Sequence, residues 1–190
     1  MRISKLRVVG FCGLALLATP AAAVEEPPFQ LVAHWEGCEV RAYPALIVAE
    51  TRMSGGRSGG EGGGFRTLAD YIFGANARGQ KFAMTAPVVE TPSGDGWTMR
   101  FILPQGQKLA DLPTPKDAKV EMKLAPPVRL GVAVFSGYAS DSDVTNKARA
   151  LADCLKTHGF EPDGPAALAQ YDPPWTLGPW RRNEVMIPVK

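Results

Sequence analysis

Histidine occurs only twice in this chain, at His34 and His158, and cysteine three times, at Cys12, Cys38 and Cys154. Two histidines and two widely separated cysteines beyond the first segment argue against a zinc site, which needs four ligands held close together. The acidic residues are scattered and form no catalytic constellation, and both histidines read as structural or solvated. A glycine-rich stretch, Ser54–Gly64, has seven glycines in eleven residues. No Gly-Lys-Ser/Thr ending follows it, so it is not read as a phosphate cradle. Charge of one sign is also missing: 21 basic residues face 19 acidic ones. Three of the basic residues, Arg2, Lys5 and Arg7, lie in the first 23, which hold no acid. The rest balances at 18 against 19, which is no footprint for nucleic acid or an anionic surface.

No apolar run is long enough to span a bilayer. The nearest to one, Val8–Leu17, follows the basic stretch Met1–Arg7 and precedes Ala21-Ala22-Ala23. That order is expected of an export signal cut after Ala23. Phe11 stands before Cys12 where a lipoprotein signal usually places a small residue. The expectation is therefore an exported protein, periplasmic or secreted, with no stable membrane anchor after cleavage. The boundaries expected are a signal peptide over 1–23, a lead-in over 24–34 and one domain over 35–190. In an oxidising compartment Cys38 and Cys154 can pair, but Cys154 also falls on the apolar stripe of a helix, where a free buried thiol is common.

Periodicity gives the elements. Cys38–Met53 reads as a long strand bent at Pro44, and Ser54–Gly64 as a mobile loop. Phe65 to about Ala75 reads as a helix. Phe65, Leu68, Ala69, Ile72 and Phe73 share one broad face, which suits either core alone or core plus a ligand groove. Gln80–Thr91 and Trp97–Leu103 read as a hairpin, with Pro87 missing a ladder bond. Pro104–Lys119 is a loop, and Val120–Leu124 and Val128–Tyr138 are strands. A second helix runs from about Asp143 to His158, capped by Ser142 or Asp141 and ended by Gly159 with Phe160 packing back. Phe160–Tyr171 and Asn183–Val189 complete the strands. The order βαββ then occurs twice, about 85 residues apart.

Four pieces of sequence resemble the SOUL haem-binding family. They are Lys81-Phe82-Ala83-Met84-Thr85-Ala86-Pro87-Val88; Glu39-Val40-Arg41-Ala42-Tyr43; Phe135-Ser136-Gly137-Tyr138-Ala139; and Tyr171-Asp172-Pro173-Pro174 with Arg181-Arg182-Asn183-Glu184. The resemblance implies an α+β fold, a distorted eight-stranded antiparallel β-barrel with two helices, built from two pseudo-twofold βαββ repeats. It also implies a non-enzymatic binding protein for haem or a related tetrapyrrole. Haem needs an apolar slot and cations for its propionates. The slot expected here is the helix face Phe65, Leu68 and Ile72 against Met84, with Arg41, Arg66 and Lys81 as cations. Some relatives carry a histidine where this chain has Ala42. Affinity is therefore expected from apolar contacts, with Tyr43 or Met84 as the available ligand atoms. The tetrapyrrole is the expected partner, and nucleic acid is not. The double βαββ layout also resembles GyrI-like modules that take hydrophobic cations, for which a buried Glu39 or Glu50 would be the mark. A hydrolase on the same fold would need a pocket carboxylate or histidine with a perturbed pKa.

Overall fold

A computed structural model describes residues 24–190, except the side chains of 58–62. The expected signal segment and Cys12 lie outside the described residues. No helix among the described residues is long and apolar enough to cross a membrane. The chain forms one nine-stranded sheet, curled into an open half-barrel, with two helices on its convex face. The strands are β1 (Gln30–Trp35), β2 (Cys38–Tyr43), β3 (Leu46–Ser54), β4 (Val88–Ser93), β5 (Gly96–Ile102), β6 (Glu121–Ala125), β7 (Val128–Phe135), β8 (Ala167–Gln170) and β9 (Asn183–Pro188). Helix α1 covers Arg57–Ile72 and α2 covers Asp141–Thr157. Every neighbouring pair is antiparallel, in the order β1-β2-β7-β9-β8-β4-β5-β3-β6.

Nine strands stand where eight were expected. The extra one, β1, comes from the lead-in: Gln30 to Trp35 pair with β2 across the turn at Gly37. Pro44 does more than bend a strand. It separates β2, which pairs with β7, from β3, which pairs with β5 and β6. The hairpin begins only at Val88. Lys81–Pro87 runs outside the named strands, with one bridge from Thr85 to Glu25 and a cis Ala86–Pro87 bond.

The glycine-rich stretch departs most from expectation, since α1 begins at Arg57 inside it. Arg57 is buried and anchors that end, and Gly64 explains the packing: a Cβ there would lie 2.4 Å from the Met53 sulfur of β3. Glycine lets the helix approach the sheet. Gly131 of β7 does the same for α2, against Leu155. Helix α2 starts at Ser140, whose side chain accepts from the Asp143 N–H, one or two residues earlier than expected. It ends in a Schellman motif. Gly159 has φ +81°, its N–H donates to the Lys156 carbonyl, and the Phe160 N–H donates to Leu155.

Strand alternation sorts the core into three parts. Under α2 lie Val40, Leu151, Leu155, Val185 and Ile187. Under α1 lie Leu68, Tyr71, Ile72, Met99 and Phe101. On the concave face Val132, Ala169 and Met186 form a smaller cluster. Cys38 and Cys154 form a disulfide, Cα–Cα 6.5 Å, tying α2 to β2.

Candidate functional site

Arg57 is the first residue of α1, and it reaches three places. Its Nη2 donates to the Ala139 carbonyl at 2.7 Å, its Nε to Asp141 Oδ1 at 2.8 Å, and its Nη1 lies 3.5 Å from Glu90 Oε2. Asp141 opens α2, so the two helix N-termini converge over β4. Ala139 holds a left-handed φ of 53° and is buried, with its carbonyl turned to Arg57. A groove of about 520 Å³ opens between the start of α1 and the loop that leads into α2. Val88, Glu90 and Met99 line it from the sheet, Phe65 from α1, and Tyr138, Asp172 and Arg181 from the loops. Phe65 is 42% exposed and packs edge-on to Phe101 at 5.2 Å. Arg181 lies over the Tyr138 ring at 4.7 Å. The groove pairs apolar walls with charges of both signs: Arg57 is set against Glu90 and Asp141, and Arg181 and Asp172 lie at the loop side.

The structure brings together few of the residues expected at the site. Phe65 lines the groove. Leu68 and Ile72 are 0% and 1% exposed and belong to the core, so they support α1 from behind and present no surface to a ligand. Met84 is half-buried against the same core, while Arg66 and Lys81 are exposed and do not line the groove. Arg41 and Tyr43 lie on the opposite, concave face. Arg41 is buried and bonded to Glu39, to Glu184 at 2.9 Å and to the Tyr43 hydroxyl at 3.2 Å, with its guanidinium 4.4 Å from the Phe29 ring centre. Burial alone would lower the Arg41 pKa. The Tyr43 hydroxyl and the Glu184 carboxylate outweigh it and hold the group firmly charged. Burial raises the Tyr43 phenol, and burial with Glu184 raises Tyr171. These are features of a structural ion network.

The C-terminal pieces of the resemblance are structural as well. Tyr171 donates to Glu184 at 2.7 Å, Asp172 accepts from the Arg182 N–H, and Asn183 donates to the Gly137 carbonyl. Arg181 holds the Thr176 and Pro174 carbonyls while also facing the groove. Trp35 stacks on His158 at 4.1 Å, and His34 pairs with Glu39 at 3.5 Å. Neither histidine lines the groove. No Gly-x-Ser-x-Gly string was expected, but Gly56-Arg57-Ser58-Gly59-Gly60 has that spacing. No cluster of three or more potential metal ligands occurs among the described residues.

Of the groove lining only Phe65 is among the residues expected at the site; Arg57, Val88, Glu90, Met99, Tyr138, Asp172 and Arg181 are not. Arg57 falls in the glycine-rich stretch expected to be a loop, and Glu90, which follows Val88 and Val89 on β4, is fully buried.

The architecture is that of an α+β protein with two helices on one curled antiparallel sheet. The profile of the SOUL heme-binding protein family matches residues 24–188, and the chain belongs to that family. Among solved structures, the C-terminal domain of EcmrR is similar at 13% identity and a TM-score of 0.61, covering 85% of this chain and 98% of that one. A hydrolase from Listeria innocua is similar at 12% identity and 0.57, covering 84% and 94%. An uncharacterized conserved protein from Listeria innocua reaches 14% and 0.59, covering 80% and 92%. At these identities the likeness is one of fold. No curated protein matches the chain.

Proposed function

We propose that this protein binds haem or a related tetrapyrrole in the groove between the start of α1 and the loop that leads into α2, without enzymatic turnover. The observation that carries the reading is the groove itself, in a chain of a haem-binding family. At about 520 Å³ it lies within the usual 300–1,000 Å³ of ligand sites. Phe65, Met99 and Val88 supply apolar contact, and Arg181 supplies a cation for a propionate. No histidine faces it, so affinity rests on burial. Titrating the purified protein with haemin should give a saturable shift of the Soret band at one haemin per chain. A spectrum that only tracks free haemin sinks the reading.

Glu90 on the groove floor favours a second reading, a hydrophobic cation in the manner of GyrI-like modules. Arg57 already offsets that carboxylate. A tetraphenylphosphonium titration that saturates where haemin does not would select this reading.

Export to the periplasm or beyond belongs to the same proposal. The disulfide supports it, since such bonds persist in oxidising compartments. Fractionation of the native host tests it, and finding the full-length chain in the cytosol overturns it. The sheet order also suggests duplication. Outward from the β8–β4 pair, β9, β7 and β2 run on one side as β5, β3 and β6 do on the other. Residues 38–104 should then superpose on 120–188 by a rotation near twofold. A rotation far from that value overturns the repeat.

A further inference from the structure

The concave face of the half-barrel has a second cavity, of about 320 Å³, on the other side of the sheet from the helix groove. Strand β4 shows the separation, since Val89 lines this bore while its neighbours Val88 and Glu90 line the groove. Eight of the nine strands contribute to the bore, all but β1. In a closed small barrel, inward side chains fill this space. Here β1 and β6 remain unpaired edges, and the sheet stays open around it. The walls are Val48, Val89, Leu130 and Met186, and five further lining residues are prolines, which have no N–H to offer. Water binds poorly in such a space because it needs two to four polar partners.

One charged side chain, Arg100, lines the bore. Its Nε donates to Glu50 at 2.5 Å, and its Nη1 and Nη2 make no hydrogen bond among the described residues. Glu50 is shared with Lys123 at 2.8 Å, so Arg100 is not needed to neutralise it alone. An apolar bore with one guanidinium edge open matches an unbranched hydrocarbon chain ending in a carboxylate. We propose that the bore is a binding site for medium- to long-chain monocarboxylates, separate from the helix groove. The guanidinium takes the carboxylate, and Val48, Val89, Leu130 and Met186 surround the chain. The space is narrower than the groove and lacks its converging helix ends, so it selects a chain over a macrocycle.

The test uses cis-parinaric acid, a fluorescent polyene monocarboxylate, added to the intact protein. Saturable fluorescence at one probe per chain is expected, displaced by myristate at least tenfold more effectively than by myristyl alcohol. Ala167→Phe fills the bore and should weaken the probe at least tenfold while leaving the haemin titration unchanged. Thr91→Phe fills it from another strand and replaces Ala167→Phe if that variant does not melt cooperatively. Arg100→Gln should bring acid and alcohol to equal potency. Absence of saturable fluorescence overturns the proposal. So does probe binding that survives bore filling but is lost to haemin competition or to Phe65→Ala, which would place the probe in the helix groove.

Discussion

Arg41 and Tyr43 sit two residues apart on β2, and that spacing puts both on the concave face, away from the helices. The family resemblance implies Arg41 as a cation for a propionate and Tyr43 as an available ligand atom. In the fold, Arg41 balances the buried Glu184 carboxylate. Removing one member of a buried pair leaves the other charged without a partner, at a cost of about 3–5 kcal/mol. Arg41→Ala should therefore lower the urea-unfolding free energy by about that amount and leave haemin affinity unchanged in the folded fraction. Glu50 makes a different prediction. Burial would raise its pKa, but Lys123 and Arg100 outweigh this and hold it below the ordinary 4.5. A depressed folded-state pKa gives stability that is present above the unfolded value and is lost as pH falls through the folded one. The native protein should lose this contribution progressively below about 4.5. Melting temperature against pH should fall less steeply there for Glu50→Gln, from a lower value at neutral pH. An unchanged acid limb would remove Glu50 from the account.

Helix α1 contains five glycines between Arg57 and Phe65, each worth about 0.8–1 kcal/mol against helix relative to alanine. Tertiary contacts outweigh that propensity: Arg57 at the start, Gly64 against Met53, and Leu68, Tyr71 and Ile72 in the core. Gly63 has no atom within 4 Å of an added Cβ. Gly63→Ala should stabilise the protein by about 1 kcal/mol in urea, and a loss instead would mean the stretch is not helical in solution. Helix α2 was legible because its local signals agree: the apolar stripe Val144, Leu151 and Leu155, and Gly159 at its end; only the cap fell elsewhere, at Ser140 instead of Ser142 or Asp141. The strands flanking Pro92–Gly96 were legible from alternation and turn residues. What was not legible depended on distant partners. Composition marks Ser54–Gly64 as loop, and only the position of Met53 gives Gly64 its purpose. Little of the site was legible for the same reason, and of the residues expected there only Phe65 lines the groove. The apolar arc of α1 was visible, but which part faces core and which faces the groove is decided by Met99 and Phe101 on β5.

At the scale of the whole molecule, the fold is one sheet with a helix pinned at each end of its convex face. The disulfide fixes one of those helices by closing a loop whose ends are 116 residues apart. In the chain-entropy picture such a loop is worth about 4–5 kcal/mol. Cys154→Ser should lose about that much, seen as a lower urea midpoint, and dithiothreitol should shift the native protein to match it. The convergence of the helix N-termini at Arg57 makes the groove a property of the assembled molecule, one that no local window of sequence contains.

The central claim is that a tetrapyrrole is held in this groove by apolar contact and without a histidine ligand. Haemin titration of Phe65→Ala beside a His34→Ala/His158→Ala double variant tests it most directly. A large apolar side chain buried against the ligand is worth about 1.5–3 kcal/mol, or roughly tenfold to a hundredfold in affinity. The account predicts that loss for Phe65→Ala and wild-type affinity with an unaltered Soret maximum for the double variant. An unchanged affinity in Phe65→Ala, or a lost Soret shift in a folded double variant, would contradict it.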